Sequence, residues 1–416
     1  MRKAVALLLC VCILFLPACG GRSAAPAQYH VIVATDLHYI APQLTDHGES
    51  FTKLVDGGDG KLMRWIEELC DAFFGQVIQQ KPEALILTGD LTFNGAVLSH
   101  EALAEKLRAV EAAGIPVLVQ TGNHDLYNSS AASFSGDSFT RVPSATTEVF
   151  REVYGEFGYD EALSVDSDSL SYIYQLNDST RVLLLDANTA HDPCGLSDST
   201  LKWVEQQLRQ ARREGQHVLT GGHQNLMQQT MFNAGYVMSG ADRLLKLLQR
   251  YQVPLFLSGH LHVQHYKTAG TVTEIATSAL SVSPCQYGVL RAEDGHIRYE
   301  TREVDVSAWA RRQGRTEPEL LEFKAYAADY FDRRTRAQIP ESLEGFPYTP
   351  EEVESMTDYI CALNRCYFSG NMAEAAELDP DGSLAALWGR SVTLYSVYLA
   401  SIREDMGKDF RIWKSG

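Results

Sequence analysis

The chain has 416 residues, 45% of them hydrophobic, and a formal charge of −17. That length and apolar fraction are enough for a large buried core with a smaller second unit beside it. The acidic balance opposes a sequence-independent grip on nucleic acid, which depends on Lys and Arg neutralising phosphates and would here need a local basic groove.

In chain order, Arg2 and Lys3 form a positive patch ahead of an apolar run, 4–16, that is too short to span a bilayer as a mature helix. Residues 1–18 are therefore expected to be an export signal. The stretch LPACGG that follows, 16–21, resembles a bacterial lipobox, although Pro17 departs from the small or aliphatic residue usual at its position. The resemblance implies lipid modification of Cys19 and a tether over 19–28, holding the protein on the outer face of a bacterial cell membrane; plain secretion is the alternative. Cys70, Cys194, Cys285, Cys361 and Cys366 include no CxxC, so no zinc-thiolate site is expected. Cys361 and Cys366 read as readily as buried small apolar residues as they do as a disulfide candidate.

Six apolar runs, 30–38, 83–91, 115–125, 181–188, 217–223 and 253–262, read as buried strands. Amphipathic stretches at 61–80, 97–113, 200–214 and 241–251 read as helices, the first stopped by Pro82 and the second by Gly114 and Pro116. This alternation predicts an α/β sheet protein whose working loops lie beyond the carboxyl ends of its strands. Insertions at 42–60 and 128–147 are expected at the rim of a site. From about 271 to 306 shorter strands, with a hairpin at Asp294 and Gly295, suggest a second, more antiparallel sheet edge. Residues 307–416 read as a helical C-terminal domain. It includes a capping box at 349–352 and a helical stretch over 383–406, whose Trp388, Tyr395 and Tyr398 are expected to be core.

The strand ends carry Asp36 and His38 (TDLH), Asp90 (TGDL), Asn123, His124 and Asp125 (TGNHD), His223 (GGHQN), and His260 and His262 (SGHLH). Each piece alone is ordinary, since a DxH is often a solvated loop and a GD a turn. Together, imidazoles and hard oxygen ligands in this order suit two divalent ions of manganese, iron or zinc, with a carboxylate between them. Glycines at 89, 122, 222 and 259 give the backbone room to turn. GGDGK at 57–61 follows no strand and reads as a loop rather than a phosphate cradle, and no GxSxG elbow occurs. His191 and Asp192 fit a site contact less well than an ordinary turn.

With this order of DxH, GD, GNHD, a single His and GHxH, the sequence resembles the calcineurin-like metallophosphoesterases, above all the class III cyclic-nucleotide phosphodiesterase branch and secreted bacterial relatives with a C-terminal helical domain. The resemblance implies a four-layer α/β/β/α sandwich over residues 29–306. It also implies one metal held by Asp36, His38, Asp90 and His262 and a second by Asp90, Asn123, His223 and His260, with Asp90 bridging. Gln224 departs from the His or Gly that many relatives carry after the fourth-motif His. Two ions roughly 3.5 to 4 Å apart can polarise phosphoryl oxygens and lower the pKa of a bridging water. His124 is then expected to serve the leaving group and Asp125 to orient His124. The expected function is hydrolysis of a small phosphodiester, cyclic or linear and nucleotide-like. The alternatives are a phosphomonoesterase or nucleotidase on the same metals, and a non-catalytic surface-binding lipoprotein. Sequence-specific nucleic-acid binding is not expected.

Overall fold

A computed structural model describes residues 27–188 and 194–415. The export signal, Cys19, most of the tether, His191 and Asp192 lie outside them. The strands are β1 (Tyr29–Ala34), β2 (Ala84–Leu87), β3 (Val117–Val119), β4 (Ala132–Ser135), β5 (Ser138–Arg141), β6 (Ser164–Val165), β7 (Tyr172–Asn177) and β8 (Thr180–Leu185). They continue with β9 (His217–Gly222), β10 (Leu255–Ser258), β11 (His265–Ala269), β12 (Val272–Ala276), β13 (Gln286–Glu293), β14 (His296–Glu303) and β15 (Ile412–Lys414). One sheet has the order β15-β14-β13-β1-β2-β3 and the other β11-β12-β10-β9-β8-β7-β6, while β4 and β5 pair as a separate hairpin.

The side-chain alternation of a strand decides how these sheets stack. In β8, Val182 and Leu184 join the core that contains Ile32, Leu85 and Leu118 of the first sheet. Their neighbours Leu183 and Leu185 pack instead with Leu201, Val204 and Leu208 of helix Asp198–Arg213 and with Leu244 and Leu248 of helix Ala241–Tyr251. Leu69 and Phe73 of helix Ile66–Gln80 and Leu103 and Leu107 of helix Val97–Ala112 belong to the first core. Helix, sheet, sheet, helix is the four-layer order expected. Each fully buried Val or Leu contributes about 1.5–3 kcal/mol, which explains why these strands are apolar on both faces.

The structure departs from the expected elements in four places. The strands stop short of the motifs, so the chemistry-bearing residues lie in the loops beyond them. The first long helix begins at Ile66, after a 3-10 turn at Met63–Trp65, which leaves 57–62 as a loop. The hairpin at Asp294 and Gly295 is present, with both residues at positive φ as a two-residue turn requires, but β13 pairs antiparallel with β1. Those strands thus extend the first sheet, and β11 and β12 edge the second. Over 383–406 the helix is broken into Ser383–Trp388 and Leu394–Ile402, because Thr393 starts a new capping box with Ser396.

The C-terminal region is helical from Val306 to Ile402, with its own core around Ile360, Leu363 and the buried Trp388; Tyr395 and Tyr398 pack against it. The capping box at Thr349 and Glu352 is formed. The region then returns to the first sheet through β15, which pairs with β14. Cys70, Cys285, Cys361 and Cys366 are free thiols, and Cys361 and Cys366 are buried in helix Pro350–Ser369. No helix among the described residues is long and apolar enough to cross a membrane.

Candidate metal centre

The loops after β1, β2 and β3 meet those after β9 and β10. They are laced by backbone bonds from Asp36 N to Gly89 O (3.0 Å), His38 N to Asp90 O (2.9 Å) and Gly259 N to His223 O (3.0 Å). Asp36, His38, Asp90, His260 and His262 all take φ between +47° and +67°. That left-handed backbone costs a non-glycine residue of the order of 1–3 kcal/mol, so the surrounding packing holds five side chains in poses they would not adopt alone. Gly122 serves by close approach, since a β-carbon there would stand 2.1 Å from Asp90 N.

The convergent side chains form two poles that share Asp90. Potential ligand atoms of Asp36, His38, Asp90 and His262 lie within 4.8 Å of one another, as do those of Asp90, His223 and His260. Asp90 Oδ2 is 3.7 Å from His38 Nε2 and 3.4 Å from His223 Nε2, while its Oδ1 accepts from His124 N at 2.8 Å. His262 Nε2 lies 3.1 Å from Asp36 Oδ1 and 3.2 Å from His38 Nε2. At the other pole His223 Nε2 lies 3.1 Å from Asn123 Oδ1 and 3.2 Å from His260 Nδ1. The outer ring atoms are tied down. His223 Nδ1–H donates to Thr88 O at 3.0 Å, and His262 Nδ1 meets Asp59 Oδ2 at 2.8 Å, so both Nε2 atoms turn inward.

The charge balance of this cluster fits a pair of cations. Asp36 Oδ2 accepts from Thr35 Oγ1 and His260 N, while its buried Oδ1 makes no well-formed hydrogen bond and faces His262 Nε2 at 3.1 Å and His38 Nε2 at 3.7 Å. A buried carboxylate oxygen facing imidazole nitrogens is the environment a divalent ion completes. Burial pushes the His223 and His262 imidazoles down. Asp90 and Asp36 outweigh it at His223, carrying it to about 9, and Asp36 and Asp59 outweigh it at His262, carrying it to about 10. Burial and the neighbouring His223 lower His260 to about 4. Burial and then Lys61 hold His38 well below its ordinary value. With no ions bound, protons on His223 and His262 offset the carboxylates, so ion binding must release protons.

All seven expected ligands come together here. The role given to Asp125 needs correction: its carboxylate does not reach the His124 ring. It accepts from the backbone N–H groups of Leu91 (3.1 Å), Thr92 (2.9 Å) and Gly122 (2.8 Å) and from Thr92 Oγ1 (2.9 Å), which saturates it. Asp125 therefore braces the Asp90 turn against the Asn123 turn. His124 is fixed instead by its Nδ1–H bond to Phe93 O (2.8 Å), with Nε2 on the cluster side, 3.9 Å from Asp90 Oδ2. Gln224 is buried and donates to Asn188, whose amide reaches Thr121 O at 3.1 Å, so it supports the loop walls. Asp59 escapes sequence reasoning. It sits in the GGDGK loop, and only the fold brings it to His262.

Beside Asn123 and His124 opens a cleft of about 580 Å³ lined by Leu54, Phe93, Asn94, Tyr127, Asn128 and Asn188 among others. The early insertion supplies Leu54 and the later one Asn128, as expected of rim segments.

Residues 29–264, more than half of the chain, match the family model described as calcineurin-like phosphoesterase. Residues 305–409 match that of the C-terminal domain of cyclic nucleotide phosphodiesterase. A Synechococcus protein named "Probable cyclic nucleotide phosphodiesterase" is 25% identical over 247 residues, 57% of this chain and 83% of its own. One of the same name from Vesicomyosocius okutanii is 34% identical over 67 residues, 16% of this chain and 28% of its own. A dimetal phosphatase from Danio rerio shares the fold at a TM-score of 0.50 and 15% identity, covering 67% of this chain and 97% of its own.

Proposed function

Since the chain belongs to the calcineurin-like phosphoesterase family and is a phosphoric ester hydrolase, we propose that its substrate is a phosphodiester with a nucleotide-type substituent, cut at the centre shared by Asp90. The observation that carries the diester reading is the cleft beside His124. Its described lining contains no Lys or Arg; it offers the amides of Asn94, Asn123, Asn128 and Asn188 and the half-exposed side chains of Leu54 and Tyr127. A monoester dianion draws on extra cations, whereas a singly charged diester needs room for a second substituent. The ammonium of Lys61, on the loop beside His262, is already paired with Asp59 at 2.7 Å. The printed names of the relatives support a nucleotide-type substituent.

Two divalent ions, held by Asp36, His38 and His262 on one side and Asn123, His223 and His260 on the other, would supply electrophilic pull on the phosphoryl group and a nucleophile from water at neutral pH. The chain's own groups do the rest. Asp90 keeps its orientation through His124 N, and Thr88 O and Asp59 fix the rings of His223 and His262. His124, which lines the cleft and is pinned by Phe93 O, has Nε2 on the cluster side, where an Nε2–H would pass its proton to the departing alkoxide and leave a neutral imidazole.

Hydrolysis of bis-p-nitrophenyl phosphate and of p-nitrophenyl phosphate by the manganese-loaded protein tests the reading. The diester is expected to be cleaved with the higher kcat/KM, and preference for the monoester would replace the proposal with a nucleotidase-like phosphatase. The 16–21 pattern further supports export and lipid anchoring at Cys19. Labelling with radioactive palmitate in a bacterial host should vanish in Cys19→Ala, and its persistence would remove the anchor.

A further inference from the structure

The helical C-terminal region holds the chain on both sides of His262. On one side, helix Phe323–Ser342 carries Tyr330, whose hydroxyl donates to Asp56 Oδ1 at 3.1 Å, and Arg334, whose Nη1 donates to Asp56 O at 2.8 Å. Phe331 lies so close to Gly60 that a β-carbon there would stand 2.9 Å from its ring; it also packs with Ala279, Val282 and Phe368. Between these contacts is Asp59, which meets His262 Nδ1 at 2.8 Å. On the other side, Gln264 N donates to Phe368 O at 3.1 Å and Gln264 Nε2 to Phe410 O at 3.1 Å. Gly370 fits so tightly here that a β-carbon would stand 2.7 Å from Gln264 Cγ.

A loop with glycines at 57, 58 and 60 has little of its own to fix its shape, because glycine loses the most backbone freedom on ordering. We propose that the helical region is a positioning element for the metal centre: through Tyr330, Phe331 and Arg334 it fixes the loop so that Asp59 can hold His262 with Nε2 turned to the ion. Phe331 and Arg334 are thus positioning residues, acting through Asp59 on the Asp36, His38 and His262 pole alone. The inference rests on the two-ion reading of the site.

Manganese titration of the full chain, reading free ion by electron paramagnetic resonance, tests it without recourse to activity. The native chain should bind two ions. Phe331→Ala should weaken one of them by about 10- to 100-fold and spare the other, and Phe331→Leu should restore most of the loss. Asp59→Asn should reproduce the selective defect, and adding Phe331→Ala to it should change little, because both act on one imidazole. If Phe331→Ala does not fold, Arg334→Met, which removes only the bond to the Asp56 carbonyl, carries the same comparison. Folded variants with native affinity at both sites, or losses that multiply in the double variant, would overturn the inference. A native chain that binds no manganese would overturn the two-ion reading and this inference with it.

Discussion

Asp90→Ala is expected to abolish hydrolysis and to empty both metal positions at once. Its Oδ2 faces His38 Nε2 at 3.7 Å and His223 Nε2 at 3.4 Å, so a single carboxylate oxygen belongs to both poles. Losing the ions forfeits several kcal/mol of transition-state stabilisation, or a rate reduction of about a thousand-fold or more. Asp90→Asn, which keeps the shape and an acceptor for His124 N but not the charge, should be nearly as inactive. Metal content by plasma mass spectrometry alongside the hydrolysis rate makes the check. An active Asp90→Ala protein with two bound ions would refute the shared-ligand assignment.

His124→Ala should behave in the opposite way, keeping the ions and losing rate. The contact between this residue and Asp90 Oδ1 is made by its backbone N–H, which the substitution leaves intact. What disappears is an imidazole that lines the cleft, anchored by Phe93 O with Nε2 on the cluster side. The loss should approach about 10²- to 10⁴-fold for an alkyl ester, whose alkoxide needs a proton, and be much smaller for a nitrophenyl ester, whose leaving group does not. Comparing kcat/KM on the two esters decides the matter: equal losses would exclude a role in protonating the leaving group.

The candidate cluster was legible because each member follows an apolar run and belongs to a residue type no core requires, and the family resemblance sorted its candidate ligands from His124 and Asp125. The α/β class was legible from the alternation of strands and helices, while the four-layer order was implied by the family resemblance. Asp59 was not legible, because its contact with His262 joins loops from opposite ends of the catalytic region and leaves no spacing to read. Nor were the partners of Asp125: adjacency suggested His124, but the turn points the carboxylate at the amides of Leu91, Thr92 and Gly122. Sequence reasoning also assigned the backbone freedom to glycines, whereas Asp36, His38, Asp90, His260 and His262 themselves adopt the left-handed conformation. A pattern of residue types reveals where ligands gather, but not the local strain needed to gather them.

The return of the chain to the first sheet through β15 bears on the order of assembly. During synthesis the strand that covers part of β14 emerges only after the whole helical region, so β14 remains an open β-edge while residues 304–411 are made. Open edges recruit strands from other chains. A chain clipped ahead of residue 412 would keep every residue of the metal centre and still present a template for aggregation, which ties the solubility of this enzyme to residues far from its chemistry.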